Sequence, residues 1–223
     1  MWRDAALVAG KDLRIEARSR VATNQIAPFG VLVLVLFAFA LDPDRGVLQR
    51  AAPGLFWVAV LFASLLAVQR SFAVESADQA RDGLRLSGLD PAGIFLGKAG
   101  AVALQLLALE LLLGVFVVLL YDAELHQGVI LAVTIAAATA GLASAGVVYG
   151  MLAAGLRVRE TLLPLLLLPV VAPVLLGATR ATEAALDIAP AADAWPWVRL
   201  LGVFAVIYTT FGVLAFGTLL EEA

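Results

Sequence analysis

The stretch LVLVLFAFAL at residues 32–41 carries an apolar side chain at every position. A second stretch, LLPLLLLPVV at residues 162–171, is also apolar throughout. Strands of membrane barrels alternate apolar and polar residues, and neither stretch does so. Because backbone amides in lipid must find their hydrogen bonds within the protein, continuous apolar runs indicate helices. These two stretches therefore predict an α-helical membrane protein.

Six apolar runs of this kind occur along the chain. An α-helix rises about 1.5 Å per residue, so about 20 residues cross a hydrocarbon core of about 30 Å. We expect an all-α, polytopic membrane protein with six transmembrane helices, folded as a single domain over residues 1–223. The runs occupy residues 21–41, 51–69, 99–121, 125–156, 161–179 and 200–220.

The composition supports this class of protein. Hydrophobic residues make up 62% of the 223 residues and charged residues 15%, and the mean hydropathy is +0.98. Soluble domains average about 45–50% apolar and about 25% charged residues, so a soluble globular fold is excluded. The lack of cysteine excludes a disulfide framework and a thiolate metal site, and the net charge of -3 provides no basic surface for nucleic acid. We predict neither a metal site nor a nucleic-acid partner.

Basic residues are distributed unequally between the two sides of the membrane. With the N-terminus inside, eleven of the 15 lysines and arginines fall in inner segments and four in outer segments. The positive-inside rule favours this orientation, and six crossings then return the C-terminus to the same side. We predict that both termini are cytoplasmic.

The first 20 residues are expected to form a separate element. An amphipathic helix over residues 1–20 is predicted at the inner membrane surface, with Lys11, Arg14 and Arg18 mostly off its apolar face. A cleaved signal peptide is the alternative, but the apolar run that follows is longer than a usual signal core of about 7–15 residues. The apolar face consists of Trp2, Ala5, Ala6, Ala9, Leu13 and Ala17.

The longest inner polar segment, at residues 71–97, joins the second and third crossings. Within it, residues 76–86 predict a short charged helix with Ser76 as its cap. This helix is either a solvated connector or a docking helix that enters a groove on a cytoplasmic partner. Its polar side chains are Ser76, Asp78, Arg81, Asp82 and Arg85.

The outer segments contain the single histidine and two neighbouring tryptophans. His126 lies in the turn at residues 122–127, where it is either solvated or an axial ligand of haem iron. Trp195 and Trp197 lie in the outer segment at residues 178–198, where they form an interfacial aromatic belt or a stacking surface for a ligand. These three residues are the candidate ligand contacts on the outer side of the membrane.

Glu110 lies near the middle of the third crossing, five residues after Gln105. A carboxylate at this depth costs roughly 2.5–3.5 kcal/mol on insertion scales, so it is expected to face the protein interior. Glu110 and Gln105 are candidates for lining a pathway or a subunit interface, and a structural hydrogen bond to a neighbouring helix is the alternative. Coupling through Glu110 would make the chain a secondary transporter.

The fifth crossing contains three prolines, Pro164, Pro169 and Pro173. Each proline removes a backbone donor and clashes with the preceding turn. Irregular backbone inside a membrane is tolerated where neighbouring protein or a cavity satisfies it. We therefore predict a kinked or broken helix that lines a cavity, a pathway or an interface.

The motifs that come nearest to catalytic ones are incomplete. Residues 93–98 are one residue short of a phosphate-binding loop, and no Ser or Thr follows Lys98 to hold magnesium. Ser144 lies in the GLASAG segment at residues 141–146, but no histidine inside the membrane is available as its base. We interpret these small residues as a helix-packing surface. The chain is predicted to be a non-catalytic membrane subunit, and a scaffold without transport is a further alternative.

The second crossing and its flanks resemble the haem exporter protein B (CcmB) family of bacterial cytochrome c maturation. The resemblance includes an A-P-G-x-x-W-V-A segment at residues 52–59 and an R-x-F segment at residues 70–72. The basic segment at residues 11–20, the three prolines of the fifth crossing, the length and the six crossings are also similar to this family.

This resemblance implies an ABC-2-like permease subunit of a haem export or haem-chaperone release complex needed for c-type cytochrome biogenesis. It implies a location in the bacterial cytoplasmic (inner) membrane. The expected partners are a cytoplasmic ATPase subunit that docks on residues 76–86, haem-handling membrane subunits, the lipid bilayer and a second copy of the permease. ATP would be bound by the partner subunit, and haem is expected as cargo and not as a resident cofactor.

Overall fold

The computed structural model describes residues 1–19, 22–41, 45–77, 88–154 and 159–222. Within these ranges the secondary structure is helical without β-strands, which confirms the all-α prediction. A π-helical turn at Ala22–Ile26 and a 3₁₀ turn at Ala191–Asp193 accompany the α-helices. The α-helices are α1 (Trp2–Ser19), α2 (Ala27–Leu41), α3 (Arg45–Ala77), α4 (Pro91–Tyr121), α5 (Gly128–Ala154), α6 (Arg159–Ala185) and α7 (Ala194–Glu222).

Each helix from α2 to α7 provides a segment that is long and apolar enough to cross a membrane. The shortest of these six segments is Asn24–Leu41, with 18 residues, and the longest is Pro91–Tyr121, with 31 residues. The prediction of six crossings is confirmed, and the protein is an integral membrane protein.

Some helices extend beyond the apolar runs that predicted them. The start of α4 at Pro91 lies within the predicted connector, because the Asp90 carboxylate accepts a hydrogen bond of 3.1 Å from the backbone N–H of Ala92 and caps the helix. Proline suits this first turn, where its missing N–H has no partner to lose. Helix α3 likewise continues to Ala77. Both helices thus occupy part of the segment at residues 71–97.

Consecutive membrane-spanning helices run in opposite directions, so their connections gather at two ends of the bundle. At one end the Gln49 amide donates a hydrogen bond of 3.0 Å to the backbone oxygen of Asp122, which joins the start of α3 to the end of α4. At the opposite end, Pro91 at the start of α4 lies against the last turns of α7. We name these ends the His126 end and the Lys98 end after polar residues that they carry.

Small residues on α5 allow close packing in the core of the bundle. A Cβ atom added at Gly146 would lie 2.6 Å from a methyl carbon of Val68 in α3, so glycine is required there. Gly150, one turn further along, is covered by Phe72 in the same way. On another face of α5, Gly141 packs against an aromatic ring of α7. The predicted small-residue packing surface is confirmed.

Helix α1 packs against the first turns of α4. A Cβ atom added at Gly97 would lie 2.6 Å from the backbone oxygen of Ala5, and both Ala5 and Val8 are buried in this contact. Ala5 was predicted on the apolar face that contacts the membrane surface, but it packs against α4 instead. The glycine at position 97 lets the backbones of α1 and α4 approach each other there. Trp2 is 74% exposed, so apolar surface of α1 remains outward. The position of α1 at the membrane surface stays a prediction.

Candidate functional site

A cavity of about 380 Å³ lies between α3, α4, α5 and α6 at the His126 end. Its walls are mostly apolar and include Pro53, Phe56 and Ile135. Glu110 from α4 and Thr182 from α6 add polar atoms to the lining. Small-molecule sites usually have volumes of about 300–1,000 Å³, so this cavity is large enough to hold a ligand. We call it the Glu110 cavity.

Glu110 is buried in the wall of this cavity. Its side chain is 2% exposed, and the Thr139 hydroxyl oxygen on α5 lies 2.8 Å from each of its two carboxyl oxygens. A hydroxyl carries one proton, so it donates to one of these oxygens at a time. Glu110 thus makes the hydrogen bond to a neighbouring helix that was one of the two alternatives, and its role in a pathway or a subunit interface stays a prediction. Nothing in the sequence pattern singles out Thr139, although hydroxyls in apolar crossings often bond across helices.

Gln105 lies apart from Glu110. It lines a small polar pocket at the Lys98 end together with Asp12, Glu16 and Arg70. A spacing of five residues on a helix with about 3.6 residues per turn directs the two side chains to different faces. The structure therefore separates these two candidate residues.

A polar mouth adjoins the Glu110 cavity at the His126 end. It is lined by Gln49, Asp122, Glu124, His126 and Asp187, among others. Asp122 and Asp187 have φ angles of 53° and 60°, in the left-handed region that aspartate tolerates better than most residues. His126 Nε2 lies 3.5 Å from a carboxylate oxygen of Glu124, and the His126 side chain is 47% exposed. The ring is therefore open to solvent, and its binding to haem stays a prediction.

Trp195 and Trp197 lie in the first turn of α7, which begins at Ala194 within the predicted outer segment. Trp195 is exposed, whereas Trp197 packs against a small buried cluster that includes Ile130. Neither tryptophan is part of the Glu110 cavity or its mouth as formed by the described residues. The structure therefore does not bring the tryptophans into one pocket with His126, and their stacking role stays a prediction.

The A-P-G-x-x-W segment forms one wall of the Glu110 cavity and fixes it to α6. Trp57 is fully buried, and its indole N–H donates a hydrogen bond of 2.9 Å to the Thr182 hydroxyl. Thr182 in turn donates to the backbone oxygen of Ala178 at 2.7 Å. These bonds satisfy two buried polar side chains and join α3 to α6. The sequence does not reveal the role of Thr182, because it is 125 residues from Trp57.

A buried charge lies at the Lys98 end. Lys98 in α4 is 1% exposed, and its Nζ atom is 3.4 Å from both Asp12 Oδ2 in α1 and Ser71 Oγ in α3. The ammonium group also lies 4.9 Å from the centre of the Phe72 ring, within the range of a cation–π interaction. These four residues, here the Lys98 cluster, tie three helices together. In the sequence Lys98 is only one of several inner basic residues, so the cluster was not predicted.

The segment predicted to dock on an ATPase is described only at its start. Helix α3 runs through Ser76 to Ala77, so Ser76 lies inside a helix and does not cap a separate one. The docking role of this segment stays a prediction. Outside the described residues lie Asp78, Arg81, Asp82 and Arg85.

The prediction was a kinked or broken helix; α6 is continuous across its three prolines, so it is not broken, and a kink stays a prediction. Buried Leu163, Leu167 and Val171 recur every four residues and pack into the bundle, whereas Pro169 and Pro173 are exposed. This packing holds the helix together, although each proline removes one backbone donor. None of the three prolines is among the residues that line the Glu110 cavity in the described part of the chain.

The chain resembles known proteins over nearly its whole length. The sequence pattern of the family described as CcmB protein matches residues 4–222. Heme exporter protein B of Haemophilus influenzae is 32% identical over 175 residues, which cover 78% of this chain and 79% of that protein. Heme exporter protein B of Pseudomonas aeruginosa is 30% identical over 211 residues, or 94% of each chain, and that of Paracoccus denitrificans is 30% identical over 213 residues, or 92% of each chain. The chain therefore belongs to the CcmB protein family.

Proposed function

We propose that this chain is the membrane permease subunit of an ABC-type complex that exports haem, or releases a loaded haem chaperone, for the biogenesis of c-type cytochromes. The observation that carries the proposal is the family match over residues 4–222, together with relatives named Heme exporter protein B that are at least 30% identical over most of both chains. The six membrane-spanning helices support a permease and not a soluble haem carrier.

The proposal places the protein in the bacterial inner membrane with both termini in the cytoplasm. The excess of lysine and arginine in the segments on that side supports this orientation. The Lys98 end then faces the cytoplasm, and the Glu110 cavity opens toward the periplasm.

Energy would come from a separate cytoplasmic ATPase subunit that docks on the segment after Ala77. This segment connects α3 to α4, which begins at Pro91, so a force on it reaches both helices. Lys98 joins these helices to α1 through Ser71 and Asp12. We propose that α1, α3 and α4 respond to the ATPase as one unit.

The same unit provides a route from the ATPase to the opposite end of the membrane. Helix α3 contributes Pro53 and Phe56 to the Glu110 cavity, and Trp57 bonds to Thr182 of α6. A shift of α3 would therefore change the shape of the cavity and the position of α6, as in other two-state transitions of packed helices. A second copy of the permease and haem-handling subunits would complete the complex.

Haem is proposed as cargo. His126 supports this proposal because its imidazole is partly open to solvent at the proposed periplasmic end, and a neutral imidazole nitrogen is a ligand for haem iron. Trp195 offers an exposed ring on the same end of the molecule, while the ring of Trp197 is partly covered.

The first test is complementation of a strain that lacks the gene. The unchanged chain is expected to restore holo-cytochrome c, measured by haem staining of membrane proteins after electrophoresis. A variant with alanine at Asp78, Arg81, Asp82 and Arg85 is expected to insert normally but to lose both co-purification of the ATPase subunit and complementation. Normal holo-cytochrome c in the deletion strain would refute the proposed function.

A matched control variant removes the same number of charged side chains at the His126 end. Arg180 and Glu183 form an ion pair of 2.9 Å there, and Asp193 and Arg199 are exposed. Replacing these four residues with alanine removes two positive and two negative charges, as the docking variant does. This control should keep the ATPase subunit bound.

The deletion strain also distinguishes the proposed permease from a secondary transporter and from a scaffold. A secondary transporter coupled through Glu110 would work without the ATPase subunit and fail with Glu110→Gln, whereas a scaffold would tolerate both changes. We expect loss of the ATPase subunit to abolish formation of holo-cytochrome c.

A further inference from the structure

We propose that the Glu110 cavity and its mouth bind one phospholipid of the phosphatidylethanolamine class. One acyl chain would lie in the cavity, and the ammonium of the headgroup would lie among the carboxylates of the mouth. This inference goes beyond the proposed function and does not depend on it.

The cavity is chemically suited to a hydrocarbon chain and accessible from the bilayer. Its apolar lining includes Leu111 and Leu119, which are 74% and 73% exposed. Because such exposed apolar side chains of a membrane-spanning helix contact lipid, the cavity opens sideways into the hydrocarbon region. A Cβ atom added at Gly114 would meet no atom within 4 Å, so space is available at this part of the wall. An acyl chain can therefore enter from the bilayer.

The mouth of the cavity is acidic. Asp122, Glu124 and Asp187 line it, and neither the cavity nor the mouth is lined by a lysine or arginine among the described residues. Among the lining residues that the structure describes, His126 is the one basic side chain there, and it lies beside Glu124. A primary ammonium carries three N–H donors and forms short charge-assisted hydrogen bonds to carboxylates. The mouth thus complements the primary ammonium of a zwitterionic headgroup, and the phosphate of that headgroup must lie away from the carboxylates, on the solvent side.

The headgroup determines which lipid is preferred. Lipid tails are as apolar as the cavity wall, so a chain gains little hydrophobic free energy by moving from the bilayer into the cavity. Phosphatidylglycerol has a net negative charge that the carboxylates repel, and phosphatidylcholine has a quaternary ammonium without N–H donors. We expect the order ethanolamine, then choline, then glycerol.

The same charges argue against haem as the occupant of this cavity. A haem inserted in the cavity would place its two negatively charged propionates beside Asp122, Glu124 and Asp187 at the mouth, whereas a haem bound through the exposed side of His126 does not need to enter the cavity. A second copy of the chain could cover the apolar opening, but it would leave the acidic mouth without a cationic partner. The amine lipid satisfies both the apolar wall and the acidic mouth.

The test is photo-cross-linking of the full chain in nanodiscs. The discs contain equal amounts of phosphatidylethanolamine, phosphatidylcholine and phosphatidylglycerol with identical chains. A trace of probe lipid carries a diazirine in its chain and one of the three headgroups, and labelled peptides are mapped by mass spectrometry. We expect the ethanolamine probe to label the cavity-lining part of α4 roughly threefold more than the glycerol probe, the ratio that a weak ionic contact provides.

One pair of variants tests the cavity. Gly114→Leu places a side chain in the open space of the cavity and is expected to reduce this labelling severalfold. Gly100→Leu is the matched control, because Gly100 lies on the same helix, also has no atom within 4 Å of an added Cβ, and does not line the cavity. Its labelling should equal that of the unchanged chain.

A second set of variants tests the mouth. Asp122→Asn, Glu124→Gln and Asp187→Asn together remove three negative charges, and asparagine tolerates the left-handed backbone at 122 and 187. The three headgroups should then label the cavity equally. Asp193→Asn removes a charge at the same end outside the mouth and should leave the preference unchanged.

Several outcomes would overturn the proposal. Equal labelling by the three probes on the unchanged chain, or labelling that Gly114→Leu does not reduce, would show unselective boundary lipid. Displacement of the probe by haem, or cross-links between two copies through the cavity wall, would identify a different occupant. If a variant elutes as misfolded protein in size-exclusion chromatography, the comparison of headgroups on the unchanged chain still decides the question.

Discussion

Lys98 and Asp12 form the charged contact on which the attachment of α1 depends. Lys98 is fully buried, and the side chain of Asp12 is 10% exposed. Neither charge can be left without its partner at low cost, because a buried ion has lost its hydration. Asp12 also lies 3.2 Å from exposed Lys11, so one carboxylate serves two ammonium groups in different environments. Replacing each lysine in turn therefore compares a buried ion pair with an exposed one that uses the same carboxylate.

Lys98→Met is expected to destabilise the protein, because Asp12 loses its buried partner. Removing one member of a buried pair costs about 3–5 kcal/mol when the other charge is left unpaired, and a loss below that range is expected here because Lys11 still lies 3.2 Å from Asp12. Lys11→Met is the control, and it is expected to cost less than about 1 kcal/mol, as for other exposed pairs. Thermal unfolding of the detergent-solubilised protein measures both. If the two variants lose equal stability, burial of Lys98 is not what makes the contact important.

Thr139→Val is expected to destabilise the protein by about 1–3 kcal/mol, because it leaves the buried Glu110 carboxyl without its hydroxyl donor. Glu110→Gln is expected to cost less, since the amide oxygen can still accept from Thr139. Denaturant unfolding measures both changes. Thr218→Val is the control, because the Thr218 hydroxyl is exposed and bonds only within its own helix. A larger loss in the control than in Thr139→Val would contradict this prediction.

At the scale of the element, α1 is fastened to α4 at its start and near its middle. The Lys98 cluster holds its C-terminal half. At its start, the Asp4 carboxylate accepts a hydrogen bond of 3.3 Å from the backbone N–H of Asp90, and the Met1 ammonium lies 3.3 Å from Asp4 and 3.4 Å from Asp90. Gly97 lets the two backbones touch between these points. Helix α1 is therefore a component of the bundle and not only a membrane anchor.

The attachment at the start of α1 is expected to weaken in acid. The hydrogen bond from the Asp90 backbone and the nearby Met1 ammonium lower the pKa of Asp4 below its usual value of 3.8. A carboxyl group whose pKa is lowered by folding stabilises the folded state above its ordinary pKa, and this contribution is lost as the pH falls through the lowered pKa. Hydrogen-exchange protection of α1, relative to that of α7, should decrease below about pH 4. If Asp4→Asn shows the same pH dependence, the effect has another origin.

The sequence predicts the positions of the helices better than the contacts between them. The six crossings follow from the six apolar runs alone, because lipid permits few structures other than helices. The face of α1 that packs against α4 does not follow from the sequence. A helical projection groups Ala5 with Trp2, whereas in the structure Ala5 and Val8 are buried against Gly97, which is far away along the chain. In α6, packing of the apolar face keeps the helix continuous across its three prolines, and this packing cannot be read from the local sequence.

The candidate site is predicted only in part, because its contacts join residues of different helices. Glu110 is evident because a lone carboxylate in an apolar run must have a partner or a polar cavity. Its partner Thr139 and the Trp57–Thr182 bond depend on how four helices pack, and no local pattern encodes that. The contact between Asp12 and Lys98 joins residues 86 positions apart.

At the scale of the whole molecule, polar groups gather at opposite ends of an apolar bundle. The Glu110 cavity and its acidic mouth lie at the His126 end, and the Lys98 cluster lies at the other. Helices α3 and α4 contribute to both regions. Two long helices therefore link the two polar regions physically, which is the arrangement that the proposed coupling to an ATPase requires.

The orientation of the bundle can be tested with single cysteines, because the chain has none. Glu124→Cys at the His126 end is expected to react with a membrane-impermeant maleimide in intact spheroplasts. Thr161→Cys at the Lys98 end, which is also exposed, should react only after permeabilisation. The opposite labelling pattern would reverse the proposed orientation.

The distance along the chain between Asp12 and Lys98 has a consequence for biogenesis. A ribosome adds about 5–20 residues per second, so the 86 residues between these partners take roughly 4–17 seconds to synthesise. During that interval α1 leaves the ribosome before Lys98, its partner in α4, has been synthesised. A message truncated before codon 98 would therefore yield a polypeptide whose leading helix is never fastened, and cellular proteases should recognise it.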